Sequence, residues 1–321
     1  MQATLNSSDV AVASTVVVLA TGGTIAGASS DPDDHVGYTA GQISVAQLLE
    51  SLPTAPQFKL HSEQLAQLDS KDMDFAVWCT LAERCAYWLA RDEVAGVVIT
   101  HGTDTLEETA YFLQCVLAPT KPVVLACAMR PATAAEPDGP QNLTDALALA
   151  SLPAAHGVLA VCAGVVHTAA DVQKVHPSRL DAFDSGDAGP LGYLEEGVLR
   201  RLREWPALAA STAPVLAWPV AGKAWPRVEI VMNYAGASGE LVDSLVRDGV
   251  AGLVAAGTGN GRLHYALEAA LLRAQSAGVR VVRTSRCAFG HVVPHQSDVL
   301  PDAVDLSPVK ARVRLMLELL R

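Results

Sequence analysis

Two short loops carry hydroxyl groups directly after runs of apolar residues. Residues 21–27, with the sequence TGGTIAG, follow the apolar run 16–20, and residues 101–109 follow the strand-like run 97–100, with the sequence VVIT. A hydroxyl is a weak nucleophile until a neighbouring group takes its proton, and the second loop supplies the carboxylate of Asp104. Ligands bind beyond the carboxyl ends of the strands in an open parallel sheet. The two loops therefore predict one site with threonine hydroxyls on both sides.

Each loop, taken alone, also has a simpler interpretation. Gly22 and Gly23 permit backbone angles closed to other residues and let a ligand approach the main chain, yet Thr24 beside them could be an ordinary helix cap. Residues 103–105 suit the N-terminus of the following helix in the same way. His101 is a candidate base, but a histidine on a strand-end turn is more often a structural hydrogen-bonding group.

The elements that must position these loops alternate along the chain. Unbroken runs rich in Val, Ile and Leu predict a parallel sheet covered by helices on both faces. The predicted strands lie at 16–20, 94–100, 122–127 and 157–166, and the predicted helices at 43–52, 74–90, 105–117 and 142–152.

The alternation lapses between residues 189 and 225 and then resumes. We interpret this stretch as a small hairpin followed by a linker. Beyond it, strands are predicted at 228–232, 250–255 and 279–283, and helices at 239–247, 263–277 and 307–320. The sequence thus predicts an α/β fold with a larger, parallel-sheet N-terminal domain (1–200), a linker (201–225) and a smaller α/β C-terminal domain (226–321).

Composition limits the classes of partner. The chain has 321 residues, 23 basic and 34 acidic, for a formal net charge of −11. This charge argues against nucleic acid and anionic membranes as main partners. The six cysteines show no CxxC pair and are expected to be small buried thiols. Residues 1–14 hold no lysine or arginine, and no apolar run is long enough to span a membrane, so we expect a cytoplasmic protein.

No cofactor is predicted. Cys287, His291 and His295 could suggest a metal, but Gly290 and Pro294 break any helix that would bring the histidines to one face. The glycines of residues 257–261 lack the full dinucleotide-binding pattern.

Longer segments around the two loops resemble one known family. LATGGTIAG at 19–27 and ITHGTDTLEETAYFL at 99–113 are similar to the bacterial-type L-asparaginase/glutaminase family. Further pieces match that family in the same order, at 37–39, 68–73, 128–131, 138–143, 171–174 and 257–261. The resemblance implies hydrolysis of L-asparagine to L-aspartate and ammonia, possible secondary glutaminase activity, no cofactor, and a homotetramer built from two tight dimers.

The resemblance also implies catalytic roles. Thr24 matches the nucleophile that becomes acylated, and Tyr38 matches the tyrosine of a mobile loop that helps to activate it. Thr103, Asp104 and Lys174 match a constellation similar in logic to a Ser-His-Asp triad. As a base Lys174 must lose its proton, which a nearby carboxylate opposes. A fixed positive charge is the alternative.

The substrate contacts implied by the resemblance come from both domains. Ser70 and Asp104 match residues that hold the α-carboxylate and α-amino groups, beside the main chain at Gly23. Asn260 matches a residue that reaches the site from the C-terminal domain of a neighbouring subunit.

This sequence departs from the family pattern in three places. Lys71 stands where relatives carry glutamine or glutamate, so we expect it to turn outward. An interface glutamate of many relatives aligns near Ser297, with Asp298 adjacent, so that acid is absent or shifted. The loop before Tyr38 is unusually acidic and is expected to be mobile.

Two other functions are alternatives to hydrolysis. One is a component of a tRNA-dependent amidotransferase, which the missing basic patch disfavours. The other is a non-catalytic amino-acid sensor, which the retained Thr24, Tyr38, Thr103, Asp104 and Lys174 disfavour.

Overall fold

A computed structural model of the chain describes residues 15–52, 56, 58–206, 224–296, 298–303 and 305–320. Its strands are β1 (Thr15–Gly22), β2 (Lys59–Leu68), β3 (Val94–Thr100), β4 (Pro122–Ala126), β5 (Gly157–Cys162), β6 (Val165–Thr168), β7 (Gln173–Lys174), β8 (Phe183–Asp184), β9 (Gly192–Glu195), β10 (Val198–Arg201), β11 (Val228–Met232), β12 (Gly252–Gly257) and β13 (Arg280–Ser285). Its helices are α1 (Val45–Glu50), α2 (Phe75–Leu89), α3 (Leu106–Leu117), α4 (Gly139–Ala150), α5 (Glu240–Arg247), α6 (Tyr265–Ser276) and α7 (Pro308–Leu319).

The larger sheet has the strand order β10-β9-β6-β5-β4-β3-β1-β2. Strands β1 to β5 run parallel, whereas β6, β9 and β10 form an antiparallel extension at one side. The chain passes from β1 outward to β2 and then returns across β1 to form β3 on its other side. The carboxyl ends of β1 and β3 therefore flank the point where the strand order reverses, which is where open α/β sheets bind ligands.

Alternate residues of the central strands point into two separate cores. Val17 and Leu19 pack with helices α2 and α3, whereas Val16 and Val18 pack with α1 and α4. A parallel strand buried on both faces must be apolar throughout. The prediction of a parallel sheet covered on both sides is confirmed.

The C-terminal part contains a three-stranded parallel sheet in the order β11-β12-β13. Helices α5 and α6 pack on one another over a core that includes Leu253, Leu267 and Leu271. Helix α7 packs against both β12 and α3, so its apolar residues join the core of the larger sheet. The predicted α/β class, with a larger mostly parallel sheet followed by a smaller α/β part, is confirmed.

One strand prediction in the larger sheet was wrong, and one strand was missed. Residues 157–166 do not form one strand, because Ala163 and Gly164 adopt left-handed backbone angles, with φ of 50° and 73°, and turn the chain back. The result is the antiparallel pair β5 and β6. Strand β2 was not predicted at all. It is an edge strand with polar residues on its exposed side, so it lacks the long apolar run of the inner strands.

The predicted hairpin before the linker is present as β9 and β10, which extend the larger sheet. Most of the predicted linker, residues 207–223, lies outside the described residues, as do residues 1–14. Within the described ranges, no helix is both long enough and apolar enough to cross a membrane.

Candidate active site

The two threonine loops touch each other main chain to main chain. A Cβ atom on Gly23 would lie 2.3 Å from the amide nitrogen of Gly102, and the φ of Gly23 is 81°. The Thr21 hydroxyl donates a hydrogen bond to the carbonyl of Thr100, at 2.8 Å, and so ties the end of β1 to the end of β3. Glycine is therefore required at residue 23 for both conformation and space.

Thr24 begins a single 3-10 turn, and its hydroxyl contacts Tyr38. The Thr24 Oγ1 and Tyr38 Oη atoms lie 2.6 Å apart, within hydrogen-bonding distance. The residue at the capping position is Gly23, and no side chain caps this turn. The interpretation of Thr24 as a helix cap is therefore wrong. Its buried hydroxyl instead faces a phenol, a group that can accept or donate a proton.

Tyr38 is held by a loop that folds back over the 3-10 turn at Thr24. Its ring lies so close to Gly27 that a Cβ there would be 2.8 Å from Tyr38 Cδ2. Ala28 and Thr39 form a two-way bridge across the base of the loop. The Ser29 amide donates to the Thr133 hydroxyl at 2.8 Å, which attaches the loop to the segment after β4. These contacts fix the phenol over Thr24.

The acidic residues of that loop are used locally. The Asp34 carboxylate accepts hydrogen bonds from the amides of Val36 and Gly37, at 2.9 and 2.7 Å. These amide bonds, that of Gly37 first, lower the pKa of Asp34 from its ordinary value. Asp31 accepts the amide of Asp33 in the same manner. The charges therefore organise turns in the loop.

Thr103, Asp104 and Lys174 form a connected group beside the first loop. The Lys174 ammonium donates to Thr103 Oγ1 at 2.8 Å and to Asp104 Oδ1 at 2.6 Å. Lys174 lies on the short strand β7, where it pairs with Phe183 of β8. Its side chain is 16% exposed and that of Asp104 is 50% exposed. A largely buried cation thus touches a buried hydroxyl, with a carboxylate open to solvent beside it.

Ser70 forms hydrogen bonds with the second loop. Its buried hydroxyl accepts the amide of Asp104 at 3.1 Å, and its carbonyl accepts the Thr105 hydroxyl at 2.8 Å. Thr105 occupies the N-cap of α3 without a side-chain capping bond. Residues 103–105 thus lead into the N-terminus of α3, with Glu107 and Glu108 in its first turn, although no side-chain capping bond forms at Thr105.

Lys71 is held at the surface by acids of its own turn. Its ammonium contacts Asp69 at 2.8 Å and Asp72 at 3.0 Å. Hydrogen bonds to these two carboxylates raise the pKa of Lys71 above its ordinary value. Lys71 is exposed there, as the sequence predicted for a lysine next to a binding site.

His101 has a structural role in the second loop. It is completely buried, and its Nδ1 donates to the carbonyl of Gly102 at 2.7 Å. Burial lowers the pKa of His101 to about 4, so the imidazole is neutral at physiological pH. This hydrogen bond fixes the turn that leads from β3 into the loop.

Asn260 is the candidate that the structure does not join to the others. Its amide nitrogen donates to the Val293 carbonyl at 2.9 Å, and its oxygen accepts the Val293 amide at 2.7 Å. Across the described ranges, its side-chain hydrogen bonds go to Val293 alone and not to the threonine loops. Its contacts therefore lie within the C-terminal part of the chain.

Asp298 is fully engaged within its own chain. Its carboxylate contacts Arg283 at 2.7 Å and Arg262 at 3.3 Å, and it accepts the His295 amide at 2.8 Å. The hydrogen bond from Arg283, followed by that from His295, lowers the pKa of Asp298 to about 2. Ser297 lies outside the described residues. Asp298 is thus a structural anion whose partners are already in place.

Other supporting residues were not singled out from the sequence. The Asp138 carboxylate accepts the amides of Met129 and Arg130, each at 2.9 Å, and so shapes the loop between β4 and α4. Lys310 of α7 is buried and donates to main-chain carbonyls just before Lys174. A lysine on the apolar face of an amphipathic helix was the only sign of this in the sequence. In the part of the chain that the structure describes, no cluster of His, Cys, Asp and Glu could hold a metal ion.

Comparisons with known proteins cover both parts of the chain. Residues 15–206 match the family described as asparaginase, N-terminal, and residues 227–321 match the glutaminase/asparaginase C-terminal domain. L-asparaginase 2 of Escherichia coli (strain K12) is 38% identical over 314 residues, which are 95% of this chain and 88% of that protein. L-asparaginase 2 of Bacillus subtilis (strain 168) is 37% identical over 314 residues, 94% of this chain and 81% of that protein.

A solved structure gives the same result at the level of the fold. A probable cytoplasmic L-asparaginase from Campylobacter jejuni superposes with a TM-score of 0.86 and 38% identity, covering 96% of this chain and 95% of that one. The fold and these matches define the class of protein, which is an α/β amidohydrolase. The chain belongs to the bacterial-type asparaginase family.

Proposed function

We propose that this protein hydrolyses L-asparagine to L-aspartate and ammonia through an ester on Thr24. The observation that carries the proposal is the 2.6 Å contact between the Thr24 hydroxyl and the Tyr38 phenol. A hydroxyl becomes an effective nucleophile when a neighbour accepts its proton. The names of the relatives from Escherichia coli and Bacillus subtilis support asparagine as the substrate.

The first half of the reaction forms the ester. Thr24 Oγ1 attacks the side-chain amide carbon of asparagine while its proton passes towards Tyr38. The carbon–nitrogen bond then breaks, and the nitrogen leaves as ammonia after receiving that proton. In the second half, water attacks the ester carbon, which releases aspartate and restores the Thr24 hydroxyl. Main-chain amides of the two loops are suited to stabilise the oxyanion in both halves.

Lys174 serves in this proposal as a fixed positive charge. Its ammonium donates to both Thr103 and Asp104. The charge orients the Thr103 hydroxyl and favours the negative charge that develops on the substrate. Thr103 in turn presents its oxygen to the reacting group or to the attacking water.

The substrate's α-groups are proposed to bind beside the same loops. The half-exposed carboxylate of Asp104 suits the α-ammonium group of asparagine. Main-chain and side-chain donors near Gly23 and Ser70 suit the α-carboxylate. Asn260 is proposed to complete the site of a neighbouring subunit, because its own contacts lie within the C-terminal part.

The test compares Thr24→Ala with a control at another threonine. Thr144→Ala removes a hydroxyl that donates a hydrogen bond to the Pro140 carbonyl within α4 and is not one of the proposed site residues. We expect ammonia release from asparagine to vanish in Thr24→Ala and to persist in Thr144→Ala, with a covalent ester trapped by acid quench only when Thr24 is present. Equal turnover by wild type and Thr24→Ala would refute Thr24 as the nucleophile.

Secondary activity on L-glutamine is part of the proposal. A relative from Pseudomonas fluorescens biotype A, 36% identical over 313 residues, is named glutaminase-asparaginase and covers 95% of this chain and 86% of its own. Steady-state kinetics on both amides tests this directly, and no ammonia release from glutamine at saturating concentration would exclude it.

A homotetramer made of two tight dimers is proposed as the assembly. Large apolar and aromatic side chains are exposed on the C-terminal part, including Tyr234, Leu241, Tyr265, Phe289 and Val293. Exposed apolar groups of this kind mark association surfaces. Size-exclusion chromatography with light scattering should give the mass of four chains, and a monomer at micromolar concentration would contradict the proposal.

A cellular location and a domain division are proposed from the comparisons with known proteins. A cytoplasmic location is supported by the description of the Campylobacter jejuni structure, although a relative from Haemophilus influenzae is named periplasmic. Cell fractionation distinguishes the two compartments. Domains at 1–200 and 226–321 with a linker at 201–225 are supported by family matches that end at 206 and resume at 227. Limited proteolysis should cleave first within 201–225.

A further inference from the structure

Lys310 is a buried cation that neither the family match nor the proposed chemistry uses. It lies in the first turn of α7 and is only 2% exposed. Its ammonium donates to the carbonyls of Ala170 and Val172, at 2.8 and 2.5 Å. Burial of a charged group is costly unless it is satisfied by hydrogen bonds. Two main-chain carbonyls of one short segment supply those bonds.

The segment that Lys310 grips leads directly to the catalytic lysine. This segment begins with a turn at Thr168, whose hydroxyl donates to Asp171 at 2.8 Å. Asp171 is also held by Arg203, at 2.8 Å. Two residues after Val172 the chain reaches Lys174, whose ammonium contacts Thr103 and Asp104. The position of the Val172 carbonyl therefore constrains where the Lys174 side chain can start.

Glu107 of α3 is a carboxylate that interacts electrostatically with the Lys310 ammonium. One of its oxygens, Oε2, is buried without a hydrogen-bond partner among the described residues. Helices α3 and α7 pack against each other, so Glu107 and Lys310 belong to adjoining elements. Lys310 thus supplies the hydrogen bonds to residues 170–172, and Glu107 supplies a nearby negative charge.

The acidic groups near Lys310 favour its charged form. Burial lowers the pKa of Lys310 to about 8, while Glu107 and Asp171 act in the opposite direction. Burial raises the pKa of Glu107 to about 7, against the effect of the Lys310 charge. Glu108 and His167 are the other titratable groups that interact with this pair. An apolar side chain at residue 310 would avoid the desolvation cost, so stability alone does not explain a lysine there.

We propose that Lys310 is a positioning residue which fixes the main-chain segment leading into Lys174 and so couples the C-terminal helix to the catalytic group. This inference rests on the proposed function for the role of Lys174. Small displacements of a catalytic group have large effects on rate, and about 1 Å can cost 100-fold. Lys310 touches neither Thr24 nor the group formed by Thr103 and Asp104, so it acts only through the segment that it holds.

The test uses Lys310→Met with Arg314→Met as its matched control. Arg314 lies one turn further along α7 and pairs with Glu318 at 2.7 Å, away from the segment. In Lys310→Met we expect kcat for asparagine to fall about 10- to 100-fold. KM should stay within about twofold, because the groups proposed to bind the substrate are untouched. Arg314→Met should keep the wild-type kcat.

A second variant covers the case in which Lys310→Met does not fold. Glu107→Gln is nearly isosteric and removes the ionisable carboxyl that interacts with the Lys310 ammonium, which weakens the placement of that ammonium at its two carbonyl partners. We expect kcat to fall about fivefold at unchanged KM. Wild-type kcat in both Glu107→Gln and a folded Lys310→Met would overturn the proposal, as would an equal loss in Arg314→Met.

Hydrogen–deuterium exchange of peptides that cover residues 168–176 tests the positioning without any turnover. Protection should fall in Lys310→Met, whereas peptides from β1 and β3 should keep theirs. Unchanged protection of 168–176 would overturn the proposal. This measurement distinguishes the positioning proposal from the proposed function. If the wild-type protein were inactive on asparagine, the proposed function would be refuted, but the exchange result would still decide whether Lys310 positions residues 168–176.

Discussion

Gly23 and Gly102 lie with their main chains in direct contact, and this contact joins the two threonine loops into one site. A Cβ on Gly23 would be 2.4 Å from Gly102 Cα, and a Cβ on Gly102 would be 2.5 Å from the Ser70 hydroxyl oxygen. Real Cβ atoms do not approach other atoms so closely. The loops can meet because neither residue has a side chain, and the residues that follow them, Thr24 and Thr103, therefore lie on adjoining loops.

Gly102→Ala should destabilise the protein by this mechanism. The added methyl would meet Ser70 Oγ and Cβ, at 2.5 and 2.7 Å, and overpacking of a buried site costs about 1–3 kcal/mol. We expect a lower melting temperature in a thermal scan. Ser70→Gly removes both clashing atoms. Gly102→Ala should therefore lower the melting temperature less in the Ser70→Gly background than in wild type. No loss in Gly102→Ala would show that the loops are not closely packed.

The sequence predicted the parts of the fold in which the local pattern agrees with the tertiary environment. Strand β3 was predicted at its observed bounds, because an inner parallel strand must be apolar on both faces. The polar sequence of β2 gave no such pattern, since this edge strand has no fully buried residue and so needs no apolar run. The break between β5 and β6 depends on left-handed angles at Ala163 and Gly164, and alanine gives no warning of them.

The candidate site was likewise predicted only where the sequence carries a local motif. Thr24, Tyr38, Thr103, Asp104 and Lys174 were proposed from motifs, and the structure brings them into contacts around two strand ends. Lys310 was missed because its partners are main-chain carbonyls about 140 residues away, which have no side-chain identity to detect. Asn260 was carried over by resemblance alone, and within one chain it bonds only to Val293 among the described residues.

Tyr38→Phe should separate the phenol's chemical contribution from its packing. The ring would still lie against Gly27, so the loop should remain folded. The 2.6 Å contact with Thr24 would be lost, and with it the proposed proton acceptor. We expect kcat for asparagine to fall at least about 100-fold, the usual contribution of a positioned acid or base. Tyr193→Phe, on strand β9, is the control, and a wild-type kcat in Tyr38→Phe would exclude the phenol from proton transfer.

Two substitutions at Lys174 should distinguish a fixed charge from a base. Lys174→Met should keep the fold and lose most turnover, because the cation that contacts Thr103 and Asp104 is gone. Lys174→Arg keeps a positive charge that cannot be removed at accessible pH. We expect steady-state assays to show clearly more activity in Lys174→Arg than in Lys174→Met, though less than wild type. Equal inactivity of both variants would instead favour a lysine that gives up its proton.

The buried histidines should make stability depend on pH above the range in which most carboxylates titrate. Burial lowers the pKa of His101 and of His167 from 6.5 to about 4. Between these values the unfolded chain binds protons that the folded chain does not, so the free energy of unfolding falls as pH falls from about 6.5 to 4. Each histidine should contribute a loss of about 2 kcal/mol between pH 7 and pH 5.

His167→Gln isolates this effect from groups that oppose it. Glu107, with its pKa raised to about 7 by burial, binds a proton in the folded state first and partly offsets the histidines in the same range. Asp298, with its pKa lowered to about 2, stabilises the fold above 3.8 and loses this effect only in more acidic solution. Urea unfolding at pH 7 and pH 5 should therefore show a smaller acid-induced loss in His167→Gln than in wild type, by about 2 kcal/mol. The control is His35→Gln, which changes an exposed histidine and should keep the wild-type difference. An identical loss in wild type and His167→Gln would mean that His167 is protonated in the folded protein, against its burial next to Ser185.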